Sequence, residues 1–181
     1  MKKFNWKDVE KAASHIILEM YQDEWKPDLI VGITQNGMVL ATILSHTLEI
    51  PLVSISVDLK DDFIGTETNC WLADWAFGIN NPKETGISGS RWDPKLRKKI
   101  LVVDAVNDDG SVFNWIKEDW AASCYPAETD VWKSIWHKTV RFAAMVDYLN
   151  SDFLVDYTWK ETEDKSIRLP WRKKNEIKIR S

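Results

Sequence analysis

The sequence has little cysteine and no long apolar stretch. Its two cysteines, Cys70 and Cys124, form no CxxC pair, so nothing indicates a disulfide framework or a zinc site. No apolar run approaches the roughly 20 residues that a membrane-spanning helix needs. The start of the chain leads into an amphipathic pattern rather than the apolar core of a signal peptide. We therefore expect a cytoplasmic protein without a membrane partner.

An excess of basic charge is also absent. The chain has 24 Lys and Arg against 28 Asp and Glu, a formal net charge of −4. Proteins that bind nucleic acids neutralise phosphates with clustered basic residues, so the composition disfavours a nucleic-acid partner. Basic residues do gather between Arg172 and Arg180, which we interpret as a solvated terminal segment.

Three common enzyme motifs are missing as well. The sequence contains no GxSxG, GxGxxG or Walker A segment. A serine hydrolase, a classical dinucleotide-binding protein and a P-loop NTPase therefore find no support.

The length and the apolar content fit one domain. A chain of 181 residues that is 44% hydrophobic can build one substantial core, so we assign residues 1–181 to a single domain. Eleven tryptophans are the most unusual feature of the composition. They are scattered along a chain without a basic excess, and we interpret most of them as packing residues rather than platforms for stacked bases.

Helical and strand patterns alternate along the chain. Asn5, with Asp8 three residues later, is a suitable N-cap for a helix that extends to about Tyr21. The pattern then predicts further helices and mostly buried strands. The predicted strands are Leu29–Ile33, Leu52–Val57, Lys99–Val103, Phe142–Val146 and Phe153–Tyr157, and the helices between them are Met38–Leu48 and Val112–Ala121.

This alternation predicts an α/β fold with a doubly wound, mostly parallel sheet flanked by helices. The strands Leu29–Ile33 and Lys99–Val103 are expected to lie side by side and parallel. Between strands two and three, Asp58 to Lys95 is long, polar and rich in glycine. A segment of this kind inside a domain is usually functional, so we expect it to form a hood or lid.

Two junctions between a strand and a helix have the composition of ligand-binding loops. Ligands of open α/β sheets bind at the carboxyl ends of the strands, where loop amides and helix N-termini face them. The first junction reads Thr34 to Gly37. The second runs from Asp104 to Ser111 as a predicted polar loop, in which Gly110 and Ser111 suit a backbone that wraps an anion.

The second junction resembles the signature of the type I phosphoribosyltransferases. That signature is an apolar strand, two acidic residues, two mostly apolar residues and then Asp-Thr-Gly-x-Thr. Asp104 matches the first acidic position, and Asp108 and Gly110 match the Asp and Gly. Asn107 is similar to the variant found in phage-encoded purine phosphoribosyltransferases.

The likeness extends over nearly the whole chain. Lys26 to Gly37 resembles the diphosphate loop of the family and the strand before it. Glu67 to Gly78 is similar to the middle segment of the phage-encoded members. Phe142 to Trp171 resembles the purine-binding end of the xanthine-guanine branch.

This resemblance implies transfer of 5-phosphoribose from 5-phosphoribosyl 1-diphosphate (PRPP) to a purine base with Mg²⁺, in a homodimer. Asp104 would approach the ribose hydroxyls and the Mg²⁺ bound to PRPP, and Asp108 would act as general acid or base. The resemblance also implies a residue set for each part of the substrates. The 5-phosphate loop is Asp108, Asp109, Gly110, Ser111 and Val112, the diphosphate loop is Gln35, Asn36 and Gly37, and the base site includes Tyr148 and Ile167.

Several positions depart from the family pattern. Ala105 replaces the second acidic residue, Asp109 and Val112 replace the two threonines, and Gln35 stands where an arginine is common. These departures keep a second interpretation open, in which the protein binds a nucleotide or has a regulatory role without turnover.

Overall fold

The elements follow the alternation that the sequence predicts. The computed structural model describes residues 2–57, 59, 98–123 and 132–172. Within them, none of the helices is long and apolar enough to span a membrane. The elements in chain order are β1 (Lys2–Lys3), α1 (Trp6–Gln22), β2 (Leu29–Thr34), α2 (Gly37–Leu48), β3 (Leu52–Ser56), β4 (Ile100–Asn107), α3 (Ser111–Ser123), β5 (Val140–Tyr148), β6 (Tyr157–Thr162) and β7 (Ile167–Arg168).

Five of the strands form one parallel sheet in the order β3-β2-β4-β5-β6. Leu29 pairs with Ile100 and Gly32 with Val103, so the two strands predicted to be neighbours are adjacent and parallel. The short strands β1 and β7 pair with each other in a separate parallel ribbon. The prediction of a doubly wound, mostly parallel sheet is confirmed.

Helices cover both faces of this sheet. On one face, α1 and α2 pack Ile16, Leu40 and Leu44 against strand residues that include Leu101 and Val103. On the other face, α3 packs against a second group of apolar strand residues. That second cluster includes Phe113, Ile116 and Trp120 from α3, Val102 and Phe142 from the sheet, and Trp132 from the segment before β5.

The first helix begins where the sequence predicts. The Asn5 side chain accepts a hydrogen bond of 3.2 Å from the backbone N–H of Asp8, and the Asp8 carboxylate accepts one of 2.9 Å from the N–H of Asn5. This capping box satisfies two amides that a helix start otherwise leaves without partners.

The second predicted loop is shorter than expected. β4 continues to Asn107, because Asp104 pairs with Ala144 and Asn107 with Asp147 in the longer neighbouring strand β5. Asp104 and Asn107 are therefore strand residues. The connection to α3 is reduced to Asp108–Gly110.

The predicted strand Phe153–Tyr157 is wrong. The strand is β6, and residues 153–156 form the connection that leads to it. Phe153 and Val155 are buried by the second cluster, and the Asp156 carboxylate accepts a hydrogen bond from Phe142 N–H. These contacts give the segment the apolar alternation of a strand, and its Asp156 N–H donates to the Phe142 carbonyl of β5 at 2.9 Å, but regular pairing with β5 begins at Tyr157. The ribbon of β1 and β7 was not predicted.

Some predictions fall outside the described residues. Except for Leu59, the predicted hood over Asp58–Lys95 lies there, as do Cys70 and Cys124. The basic tail does too, apart from Arg172.

Candidate functional site

The chain changes direction at the carboxyl edge of the sheet, between β2 and β4. From β2 the chain passes through α2 to β3 on one side, whereas β4 lies on the other side and leads to β5. The loops that follow β2 and β4 therefore diverge. Such a point in an open parallel sheet leaves a crevice where ligands bind.

Gly37 brings the first loop against β4. A Cβ atom added at this position would lie 2.3 Å from the Val103 carbonyl oxygen and 2.7 Å from the Asp104 Cα. No other residue fits this approach of the α2 N-terminus to the strand backbone. The loop Gln35, Asn36 and Gly37 is thus placed directly beside Asp104. Gln35 is exposed and Asn36 half-buried.

Gly110 shapes the second loop. Its φ of +84° is a backbone conformation that L side chains rarely adopt, and an added Cβ would lie 2.6 Å from the backbone nitrogen of Phe153. Its carbonyl accepts the N–H of Asn114 at 3.0 Å, which starts α3. This helix therefore starts at the same edge of the sheet, separated by three residues from the strand that contains Asp104.

A buried pair of polar side chains, Asn107 and Asp147, lies next to this loop. Asn107 donates from Nδ2 to the Asp147 carboxylate at 2.7 Å and to the Phe153 carbonyl at 2.8 Å. Both polar side chains are buried, and burial raises the pKa of Asp147. Because Phe153 touches Gly110, the Asn107 amide links the end of β4 to the loop after it. The sequence resemblance included Asn107 but did not predict this contact.

Asp104 lies at the centre of the edge. It is half-buried, and this burial raises its pKa to about 7, although the Ala105 N–H donates to its Oδ1 at 2.6 Å and Arg172 opposes the shift. A carboxyl of this kind changes charge near neutral pH.

The Asp109 side chain accepts hydrogen bonds from the first residue of α3. Its Oδ1 accepts the backbone N–H of Ser111 at 2.9 Å and the Ser111 hydroxyl at 2.5 Å. These bonds lower the pKa of the Asp109 carboxyl, the hydroxyl having the largest effect. The Asp109 carboxylate thus already accepts hydrogen bonds from two donors at the start of α3. Val112, next along, is half-buried against the second cluster.

Asp108 faces solvent beside a lysine that the sequence did not predict for the site. Lys165 places its Nζ 3.3 Å from Asp108 Oδ1 and 5.8 Å from the centre of the Tyr148 ring. The Tyr148 side chain is buried and donates its hydroxyl to the Lys165 carbonyl at 3.2 Å. Ile167 follows two residues later in β7, paired with Lys2. The lone lysine within the acidic run 161–165 was the available signal in the sequence.

Arg172 is a second cation that the sequence did not predict for the site. It is exposed, as a solvated tail residue would be, but its Nε lies 3.4 Å from the Asn36 side-chain oxygen. Trp171 donates its Nε1–H to the same oxygen at 3.3 Å. Consequently, Asn36 holds the end of the described chain beside the first loop.

The structure therefore brings most of the predicted site residues to one edge. Asp104, the first loop and the second loop meet there, and Lys165 connects Asp108 with Tyr148. In the parts of the chain that the structure describes, no three His, Cys, Asp or Glu side chains form a group that could hold a metal ion by themselves.

A doubly wound parallel sheet with two strand-to-helix loops at its switch point defines a class of α/β proteins whose ligands bind in the crevice between such loops. The chain matches the phosphoribosyl transferase domain family over residues 4–172, and it belongs to that family. The family and the fold make it a transferase by class. No curated protein sequence matches it.

Several solved structures share this fold over nearly the full length of both chains. A purine phosphoribosyltransferase from Pyrococcus horikoshii Ot3 is 22% identical, with a TM-score of 0.63, and the match covers 95% of this chain and 94% of that one. The xanthine-guanine-hypoxanthine phosphoribosyltransferase of Helicobacter pylori is 16% identical, with coverages of 94% and 90% and a TM-score of 0.62. A Neisseria gonorrhoeae protein solved with bound ppGpp is 18% identical, with coverages of 96% and 91% and a TM-score of 0.59.

The raised pKa of Asp104 predicts a pH-dependent stability difference. Between about pH 4 and pH 7 the folded protein holds a proton on Asp104 that the unfolded chain has released, so ionisation lowers the free energy of unfolding as pH rises. Asp104→Asn avoids this loss. We expect the variant to be more stable than the wild type at pH 8 by at least about 1 kcal/mol, with the difference shrinking towards pH 4.

Urea unfolding of both proteins across this range measures the difference. Subtracting the wild-type curve removes the contribution of other carboxyl groups, including Asp147. A stability difference that stays constant from pH 4 to pH 8 would contradict the assignment.

Proposed function

We propose that the protein is a purine phosphoribosyltransferase, which transfers 5-phosphoribose from PRPP to a purine base and releases diphosphate. The observation that carries the proposal is the contact of Gly37 with the β4 backbone, which sets the loop after β2 beside Asp104. The loop after β4 lies at the same edge. Two anion-binding loops around one carboxylate suit a substrate with a phosphate at one end and a diphosphate at the other.

Each loop has a proposed task in this reaction. The amides from Asp109 to Val112 and the start of α3 hold the 5-phosphate. The loop from Gln35 to Gly37 faces the diphosphate. As the bond between C1 and diphosphate breaks, positive charge develops on the ribose ring, and an ionised Asp104 stabilises that charge.

Mg²⁺ is the proposed cofactor, and the donor set fits it. Mg²⁺ in phosphoryl and nucleotide sites is usually held by one or two carboxylates together with substrate phosphates, rather than by a cage of protein ligands. Asp104 offers one half-buried carboxylate at the edge of the sheet. When bound with PRPP, Mg²⁺ neutralises charge on the departing diphosphate.

Asp108 and its neighbours form the proposed base subsite. Asp108 is exposed and takes or gives a proton at the purine ring, and Tyr148 and Ile167 are the proposed contacts to the base. Lys165, 3.3 Å from the Asp108 carboxylate, offers a donor to a purine oxygen. A second copy of the chain, as in related enzymes, and a cytoplasmic location remain part of this proposal.

One observation favours a second function. The Asp109 carboxylate already uses the N–H and hydroxyl of Ser111, and Ala105 removes a family carboxylate. A site altered in this way suits a protein that binds a nucleotide without turnover. The likeness to the Neisseria gonorrhoeae protein with bound ppGpp is compatible with that alternative.

Turnover separates the two functions. Incubation with PRPP, Mg²⁺ and hypoxanthine, guanine, xanthine or adenine in turn should yield one nucleotide and an equal amount of diphosphate, measured by chromatography. Asp108→Asn should lower the rate by about 100-fold or more, since general acid–base catalysis contributes that much, while PRPP affinity stays within about twofold. Nucleotide binding by the wild type without product from any base would establish the alternative.

Asp109 should weaken PRPP binding. A like charge about 5 Å from the 5-phosphate costs about 3 kcal/mol per unit charge at an effective dielectric near 20, and less if the carboxylate turns towards water. Asp109→Thr removes the charge and frees Ser111. We expect PRPP to bind the variant roughly tenfold more tightly, with the gain shrinking as salt is raised.

Asp109→Thr removes not only a charge but also the turn in which Asp109 accepts hydrogen bonds from Ser111. Two variants control for the loss of this turn. Asp109→Asn keeps an acceptor for Ser111 but no charge. Asp164→Thr removes the same Asp-x-Ser turn elsewhere, where Asp164 accepts from the Ser166 N–H and hydroxyl. Calorimetry at low salt compares the three variants with the wild type. Equal PRPP affinity in Asp109→Thr and the wild type would mean that this loop does not hold the phosphate.

A further inference from the structure

The negative charge at the carboxyl edge of the sheet would repel a polyanionic ligand. Asp104, Asp108 and Asp109 all lie there, and the first loop contributes Gln35 and Asn36 but no charged side chain. A diphosphate carries several negative charges, so a protein cation near the first loop, in addition to Mg²⁺, would strengthen its binding. Arg172 is placed to supply that cation.

The fold holds Arg172 from several directions. Leu169 is buried in the apolar cluster between α1, α2 and the sheet, and its carbonyl accepts the Arg172 N–H at 3.1 Å. Trp171 packs its ring against Trp6, with centres 5.9 Å apart, and donates to Asn36. The β1–β7 ribbon fixes the preceding residues, since Phe4 N–H donates to the Arg168 carbonyl at 2.9 Å. The backbone at Arg172 is therefore anchored beside the loop.

The guanidinium itself is only lightly engaged. Its Nε lies 3.4 Å from Asn36 Oδ1, longer than the usual 2.9 to 3.0 Å of such bonds. Within residues 2–57, 98–123 and 132–172, its two terminal nitrogens have no hydrogen-bond partner. An exposed arginine with one long bond to a neutral oxygen contributes little to stability. Its charge nevertheless reaches Asp104, whose pKa it lowers.

We propose that Arg172 is the diphosphate-binding cation of this site. Asn36 holds it beside the first loop, and the short segment after β7 brings it there. This inference rests on the proposed function for its ligand. The planar guanidinium offers its terminal N–H groups to phosphate oxygens, and the Asn36 amide directs it by accepting from Nε. Arg172 thereby takes the place of a cation that the first loop lacks at Gln35.

Binding of two probes tests the proposal. Calorimetry with inorganic diphosphate and Mg²⁺ measures the affinity of the proposed subsite, and guanosine monophosphate, which carries no diphosphate, measures the rest of the site. Arg172→Gln should weaken diphosphate binding about tenfold or more and leave the monophosphate within about twofold. Arg172→Lys should bind diphosphate with an affinity between those of the wild type and Arg172→Gln, since lysine keeps the charge but lacks the planar guanidinium.

Lys99→Gln is the charge-matched control, because Lys99 is exposed and directly precedes β4, at the opposite edge of the sheet from the loops. It should bind diphosphate like the wild type. Three results would overturn the proposal: no diphosphate binding by the wild type, equal diphosphate affinity in Arg172→Gln, or equal loss of both probes. Failure of the proposed function would be seen in a different measurement, the turnover assay, in which no nucleotide would form from PRPP and any purine.

Discussion

The approach of Gly37 to the backbone of β4 is the constraint on which the site depends. With a Cβ position only 2.3 Å from the Val103 carbonyl oxygen, the first residue of α2 presses on the strand itself. Any side chain there would push α2 outward and separate the first loop from Asp104. The second loop is fixed by a comparable contact, because Gly110 lies against Phe153, whose carbonyl accepts from the buried Asn107. Two glycines thus determine the distance between the halves of the crevice.

Charge is distributed unevenly around this crevice. The carboxylates come from the loop and strand residues 104–109, whereas the cations Lys165 and Arg172 come from the far end of the described chain. Burial raises the pKa of Asp104, while hydrogen bonds from Ser111 lower that of Asp109. At neutral pH, Asp109 is therefore more fully ionised than Asp104. Its carboxylate accepts hydrogen bonds from Ser111 at the start of α3. In the proposed complex, Asp109 would repel the 5-phosphate and Arg172 would attract the diphosphate at the opposite end of the substrate.

The sequence predicted those features that depend on local pattern. The apolar runs around Val31 and Val102 predicted buried parallel strands, and Asn5 with Asp8 predicted a helix start. The site residues of both loops followed from a motif resemblance, and Gly37 and Gly110 explain why the motif needs glycine. The strand at Phe153–Tyr157 was wrong because burial against a cluster imitates the pattern of a strand. Lys165 and Arg172 could not be predicted, since only the folded chain brings residues more than 50 positions from Asp108 or Asn36 to the loops.

A crystal structure of the protein with a bound purine nucleoside monophosphate would test the proposed site most directly. We expect the 5-phosphate on the amides of Gly110 to Val112, the Asp109 carboxylate turned away from Ser111, and the base beside Lys165 and Tyr148. A phosphate bound away from the start of α3, with both hydrogen bonds between Asp109 and Ser111 intact, would contradict it.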